Sequence, residues 1–365
     1  MQSTKHVNVY GRRDIVKIGS ALTLAALTSN TAIAGQTLAS AAEPPDLSFV
    51  DRELRPSALK MIEMSRRLTG RDDAPLAGMR KASGQFLPPL LSDVPVMKHE
   101  VPVGKGQPDV TVFVVNARRG ASRPAILHMH GGGFIAGQAH YEIGKLQQLA
   151  KTLDCVIASV EYRLAPETRY QESTEDTYAA LRWLHADAPA LGVDRARIAI
   201  FGGSAGGGHA ALLAIKARDR AEFPIVLQVL LYPMLDDRTG STIMPRAPLG
   251  TVGVPPSLNA YGWRSFLGVE PGGTQVPSEA VPARSRNLSG LPPTFIGVGG
   301  IDLFVSEDID YARRLSSAGV ATELLVVPGA YHGFEQVAPD TMIARRFTKA
   351  VLNAFRRAFG RPEEL

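Results

Sequence analysis

A chain of 365 residues with 45% hydrophobic and 21% charged residues can bury a sizeable core, which excludes a disordered or low-complexity protein. The net charge of +5 includes +3 within residues 1–41 (Lys5, Arg12, Arg13 and Lys17 against Asp14), and no basic stripe interleaved with aromatics follows, so no nucleic-acid partner is expected. The single cysteine, Cys155, excludes an intrachain disulfide and argues against a thiolate metal site; set in an apolar run, it reads as a buried structural thiol.

The N-terminus reads as a targeting segment. Arg12-Arg13-Asp14-Ile15-Val16-Lys17 leads into a weakly apolar run, 18–27, too short to span a bilayer as a mature helix. Small-residue cleavage candidates follow at Ala32-Ile33-Ala34 and Ala39-Ser40-Ala41. Residues 1–41 resemble a bacterial twin-arginine signal peptide, with Gly11 and Ile15-Val16 where that signal usually carries Ser and Phe-Leu. The expectation is export to the periplasm or beyond, with no stable membrane anchor once the signal is removed. No cysteine near the cleavage region supports a lipid anchor.

Residues 42–91 form an N-terminal segment, helical and then irregular, with Pro56 near the helix start and Ala58, Met61, Ile62 and Leu68 on one apolar stripe. Residues 92–365 read as one domain. Strand-like runs fall at 94–103, 110–115, 125–130, 156–160, 198–201, 225–231, 294–299 and 322–327. From the third run onward helical stretches intervene, at 141–153, 173–185, 205–218 and 305–318, and a last one covers 341–359. The stretch at 305–318 places Val305, Ile309, Ala312 and Leu315 on one face. Strands alternating with helices predict an α/β protein whose mostly parallel sheet is covered on both faces. Residues 236–290, scattered with Gly and Pro, break the rhythm and read as an insertion over one edge of the sheet.

Three loops carry chemistry. Gly202-Gly203-Ser204-Ala205-Gly206 joins the run at 198–201 to the helix at 205–218, a G-x-S-x-G pattern on a strand-to-helix turn. A serine there projects its hydroxyl from the end of the sheet, and the Ala205 N–H faces the same space. His130-Gly131-Gly132-Gly133-Phe134 follows the third run, and its glycines allow backbone N–H groups to be aimed at a tetrahedral oxyanion. The spacing and position exclude a dinucleotide fingerprint. His130 is expected to orient this loop by hydrogen bonding. Among eight histidines His332, in Pro328-Gly329-Ala330-Tyr331-His332-Gly333-Phe334 after the last strand, has the position a general base requires. His128 and His209 read as packing or polar-network residues.

The orienting acid is expected after the run at 294–299, which gives Asp302. Glu307 and Asp308 compete for the role, but they stand in the first turn of a helix, where the dipole alone favours acids. The order Ser204, Asp302, His332 is that of α/β-hydrolases, not of chymotrypsin or subtilisin.

From 94 to 334 the chain resembles the hormone-sensitive-lipase-like branch of the α/β-hydrolase serine esterases. His130 to Phe134 is similar to its HGGGF loop, Tyr162-Arg163-Leu164-Ala165-Pro166-Glu167 to its YRLAPE segment, and Gly203-Ser204-Ala205-Gly206-Gly207 to its GSAGG core. Asn287-Leu288-Ser289-Gly290-Leu291-Pro292-Pro293 is similar to the approach to its acid strand. The resemblance implies an α/β-hydrolase fold in which Ser204, His332 and Asp302 form the triad and the amides of Gly132, Gly133 and Ala205 the oxyanion hole. It also implies a cap over the acyl pocket, built from the helices of residues 42–91 and part of the insertion. No metal or organic cofactor is implied. A homodimer is compatible with it, and the YRLAPE segment reads as structural. Two positions depart: Gly203 stands where the family often has Asp or Thr, and Asp302-Leu303-Phe304 replaces Asp-Pro-Leu.

The expected activity is hydrolysis of short- to medium-chain carboxylic esters, small molecules, through an acyl-enzyme. The same site acting on amides, lactones or acetylated polysaccharides is the nearest alternative, because fold and triad do not separate these substrates. A binding protein on a hydrolase scaffold is the alternative from another class. Tyr261 and Trp263 are read either as pocket lining or as packing of the insertion.

Overall fold

The computed structural model describes residues 45–69, 75–82 and 89–364. The signal expected at 1–41, with its cleavage candidates at Ala34 and Ala41, lies outside the described residues, as does the side chain of Leu68. In chain order the elements are α1 (Arg55–Thr69), α2 (Pro75–Ala82), β1 (Val96–Val101), β2 (Val110–Val115), β3 (Arg123–Met129), α3 (Ile143–Leu153) and β4 (Val156–Glu161). There follow α4 (Tyr170–Ala186), α5 (Ala188–Leu191), β5 (Val193–Gly203), α6 (Ala205–Arg220), β6 (Gln228–Leu231) and α7 (Pro256–Leu267). Then come β7 (Thr294–Gly299), α8 (Val305–Ser317), β8 (Thr322–Val327), α9 (Phe334–Val337) and α10 (Met342–Ala358).

The strands form one sheet in the order β1-β2-β4-β3-β5-β6-β7-β8, antiparallel for β1 with β2 and β2 with β4, and parallel elsewhere. This is the expected mostly parallel sheet with helices on both faces. Its central strands read as unbroken apolar runs because both faces are covered. On one side Leu127, Ile200 and Ile296 pack with Leu181 of α4, Ala210 of α6 and Leu315 of α8. On the other, Ile126, Ile157 and Val229 pack with Leu146 of α3, Phe355 of α10 and Ala58 of α1. Chain order reverses between β4, β3 and β5, and ligands of open α/β sheets gather at the carboxyl ends of strands at such a reversal. The loop after β3 and the turn after β5 therefore lie side by side.

Two expectations are corrected. The insertion does not simply lie over an edge: α7 sits at mid-sheet, where a Cβ on Gly262 would stand 2.5 Å from the Gly133 carbonyl oxygen. Trp263 and Phe266 of α7 then meet Phe134 in a third apolar cluster, which Leu76 and Met79 of α2 join. On α8, Ile309 is exposed, and the buried stripe is Val305, Asp308, Tyr311, Ala312 and Leu315. A carboxylate occupies the position that periodicity gave to a hydrophobe. Cys155 is buried as expected, and burial raises its thiol to about 12, so it stays protonated and unreactive.

One buried ion pair ties α4 to the loop after β4. The Asp176 carboxylate, fully buried, accepts from the Arg163 N–H at 3.0 Å and from its guanidinium at 2.7 Å. Removing one partner of such a pair strands the other charge and costs about 3–5 kcal/mol. Asp176→Ala is expected to lower stability by that amount, measured as a fall in the urea midpoint at constant m-value.

Candidate active site

Ser204 joins β5 to α6 with φ +56° and ψ −125°, a conformation few non-glycine residues adopt. Its backbone is over-determined: the N–H donates to Leu231 O at 2.8 Å, and its carbonyl accepts from Met234 N–H at 3.0 Å and Gly208 N–H at 3.1 Å. The turn also needs bare backbone. A Cβ on Gly202 would stand 2.2 Å from Gly206 carbonyl atoms, and one on Gly206 would stand 2.1 Å from the Met129 carbonyl oxygen. Strain and closeness together present the hydroxyl beside β3, where it forms no hydrogen bond among the described residues.

The loop after β3 folds back on itself. The N–H groups of Ile135 and Ala136 both donate to the Gly132 carbonyl, at 3.1 and 2.9 Å. Gly132 has φ +125°, and a Cβ there would stand 2.0 Å from Ala136 O. The Gly132 and Gly133 N–H groups have no backbone partner among the described residues, and a Cβ on Gly131 would lie 3.6 Å from Ser204 Cβ.

The segment after β4 braces this loop through its main chain. Tyr162 O–H donates to His130 O at 2.7 Å, Ala165 N–H donates to Phe134 O at 3.0 Å, and Glu161 accepts from Ala139 N–H at 3.0 Å. His130 holds the loop as expected, its Nδ1 bonded to Gly131 O at 2.8 Å and its ring stacked 4.2 Å from Tyr162. Burial lowers His130 to about 4 and both His128 and His209 to about 3, so all three are neutral. His128 bonds Ser159 Oγ at 2.9 Å, whereas His209 only packs, against Phe134 and Tyr162.

Asp302 follows β7 and His332 follows β8, and the two meet: His332 Nδ1 lies 2.9 Å from Asp302 Oδ2. Asp302 is fully buried, and its other oxygen accepts from Phe304 N–H at 3.0 Å. A buried carboxylate satisfied in this way holds the imidazole with its proton on Nδ1 and its Nε2 free to accept. Phe304, at the position where the family has leucine, stands edge-on to the His332 ring at 5.2 Å. The His332 ring is flanked on another side by Tyr232, at 4.5 Å, and a Cβ on Gly203 would touch that same tyrosine ring at 3.3 Å. One buried aromatic thus separates the serine turn from the histidine loop and spaces them.

Several residues of this site carried no sequence signal. Tyr232 sits at φ +37°, and its hydroxyl bonds to the Glu335 carboxylate at 2.5 Å and to Gln336 Nε2 at 2.8 Å. Burial raises Glu335 above the usual carboxylate range. Gly253, inside the insertion, lets the backbone reach the histidine loop, where a Cβ would stand 2.9 Å from His332 Cβ. Trp263 is fully buried and packs rather than lines an opening. Tyr261 borders an open groove of about 550 Å³ with Pro166, Arg169 and Arg264, which shares no residue with the serine site.

Glu307 and Asp308 do not touch His332. Glu307 accepts from the N–H groups of Leu235 and Asp236, at 2.7 and 3.1 Å. Asp308 is fully buried with neither oxygen bonded, and its carboxyl is raised well above its ordinary value by burial first, then by Glu307 and Asp302. No cluster able to hold a metal ion exists among the described residues.

Residues 126–336 match the family model described as alpha/beta hydrolase fold. Esterase LipI of Mycobacterium tuberculosis is 36% identical over 240 residues, covering 65% of this chain and 73% of the relative. Ethyl acetate hydrolase of Pseudomonas putida is 31% identical over 216 residues, covering 58% of this chain and 65% of the relative. Among solved structures, a bacterial heroin esterase superposes with a TM-score of 0.74 at 34% identity, over 85% of this chain and 98% of that one.

Asp308 gives the site a stability signature. The folded chain keeps a proton there that the unfolded chain releases near pH 3.8, so folding is penalised increasingly as pH rises above that value. Asp308→Asn removes the titration. Its melting temperature relative to wild type is expected to climb as pH rises above about 4, measured by differential scanning fluorimetry; a pH-independent difference would contradict the assignment.

Proposed function

We propose that this chain, which belongs to the alpha/beta hydrolase fold family, works as a carboxylic-ester hydrolase of that family's hormone-sensitive-lipase-like branch. The observation that carries the reading is the 2.9 Å bond between Asp302 and His332, set at the same end of the sheet as the strained Ser204 turn and the unpartnered amides of Gly132 and Gly133. Relatives named esterase and ethyl acetate hydrolase support ester chemistry.

Ser204 Oγ attacks the ester carbonyl carbon while His332 Nε2 takes its proton, and Asp302 stabilises the imidazolium that results. The carbonyl oxygen becomes an oxyanion that accepts hydrogen bonds from the Gly132, Gly133 and Ala205 N–H groups. His332 returns the proton to the departing alkoxide, leaving an acyl-serine and a free alcohol. Water, deprotonated by His332, attacks the acyl-serine; collapse of the second tetrahedral adduct releases the acid and restores Ser204. The helices α2 and α7 serve as the cap. Phe134, Trp263 and Phe266, each 1% exposed or less, already fill the space behind the oxyanion loop, which supports short to medium acyl groups. The twin-arginine motif supports export of the folded chain, and among the described residues no helix is long and apolar enough to cross a membrane.

Purified wild type is expected to hydrolyse p-nitrophenyl acetate and butyrate well, octanoate less and palmitate least. Ser204→Ala should lose about 10⁴- to 10⁶-fold in kcat, and Asp302→Asn about 10⁴-fold. A folded wild type with no turnover beyond Ser204→Ala on any of the four would overturn the ester reading, and matched amide and lactone substrates would then be decisive.

A further inference from the structure

The brace after β4 ends in a carboxylate that the catalytic scheme leaves unused, Glu167. Its partner lies 87 residues upstream on α2. Arg80 Nη1 and Nη2 donate to the two Glu167 carboxylate oxygens at 2.8 and 2.7 Å, in a fork. The same guanidinium donates from Nε to Ile135 O at 2.8 Å and from Nη2 to Ala165 O at 3.1 Å. Four of its five N–H groups are thus spent. Ile135 lies two residues beyond Gly133, and its own N–H helps close the loop on Gly132 O. Ala165 is the brace residue whose N–H holds Phe134 O. One cation therefore grips both the oxyanion loop and the brace that holds it, while Leu76 and Met79 of the same helix rest on the Phe134 cluster.

We propose that Arg80 is a positioning residue for the oxyanion hole: its guanidinium fastens α2 to the main chain just past Gly133, so that stabilisation of the tetrahedral oxyanion depends on the N-terminal segment being docked. The proposal rests on the hydrolase reading above. The ion pair is largely solvated, with side chains 33% and 60% exposed, and such pairs contribute little to global stability. The effect therefore falls on local geometry. Lysine cannot replace it, because a point charge cannot serve four divergent acceptors.

The test compares the full wild-type chain with Arg80→Ala, Arg80→Lys and Glu167→Gln in three readouts. These are kcat and KM on p-nitrophenyl acetate, the rate of Ser204 labelling by an alkyl fluorophosphonate, and amide hydrogen exchange across residues 131–139. Arg80→Ala is expected to lose about 10- to 100-fold in kcat and in labelling, as misplaced oxyanion donors do, with KM for this small substrate within about twofold. Exchange across 131–139 should accelerate, with the melting temperature nearly unchanged. Arg80→Lys should recover little, Glu167→Gln should fall between, and millimolar ethylguanidinium should partly restore Arg80→Ala. Unchanged labelling and exchange in Arg80→Ala would overturn the proposal, as would a defect confined to KM. Labelling and exchange need no ester, so a wild type that labels but hydrolyses none of the esters would sink the ester reading and still decide this one. A wild type that does not label would sink both.

Discussion

The structure depends on one close approach of backbone to backbone. The start of α6 comes so near the end of β3 that a Cβ on Gly206 would overlap the Met129 carbonyl. Parallel pairing of β3 with β5 already aligns Met129 with Gly202, and bare backbone at Gly202 and Gly206 removes the last separation. The Ser204 turn and the loop after β3 thereby share one wall. Neither needs a long side chain to reach the other, which suits chemistry that tolerates little misplacement.

Around that wall, polar atoms are sorted by whether burial is compensated. Asp302 is enclosed but receives two hydrogen bonds, one from His332 and one from Phe304 N–H. Asp237 is equally enclosed and is held by Arg284 at 2.6 Å. Three histidines are enclosed and kept neutral, and they act as flat polar spacers rather than bases. Among the described residues Asp308 is the carboxyl group enclosed with neither oxygen bonded. Its cost is borne by the protein as a whole, close to Asp302, in the way local rules are often broken beside functional sites.

Much of this was legible in the residues. All eight strands and the helices α3, α4, α6, α8 and α10 announce themselves in the residue pattern, and the three chemical loops by glycine next to Ser204, His130 or His332. What the sequence hid was set by long-range contact. α7 buries Asn259, Gly262, Trp263, Phe266 and Leu267 on one face, but the polar Asn259 and the bare Gly262 interrupt its apolar stripe; the glycine that weakens the helical signal is what lets the helix rest on Gly133. Ile309 misled because hydrophobicity marked a face, while packing chose the register through Tyr311 and Asp308. Arg80 lies in a stretch of weak pattern, and two of its four acceptors are backbone carbonyl oxygens, which no side-chain motif records.

The hydrogen bonds from the brace at the end of β4 reach main-chain atoms of the loop after β3: the carbonyls of His130 and Phe134, and the N–H of Ala139. The side chains of Phe134 and Ile135 take no part in those bonds. Backbone placement and core packing are therefore written on different atoms of the same few residues. Such a division makes the loop adaptable: its buried side chains can be repacked, by selection or in the laboratory, while the main-chain atoms beside Ser204 stay where they are.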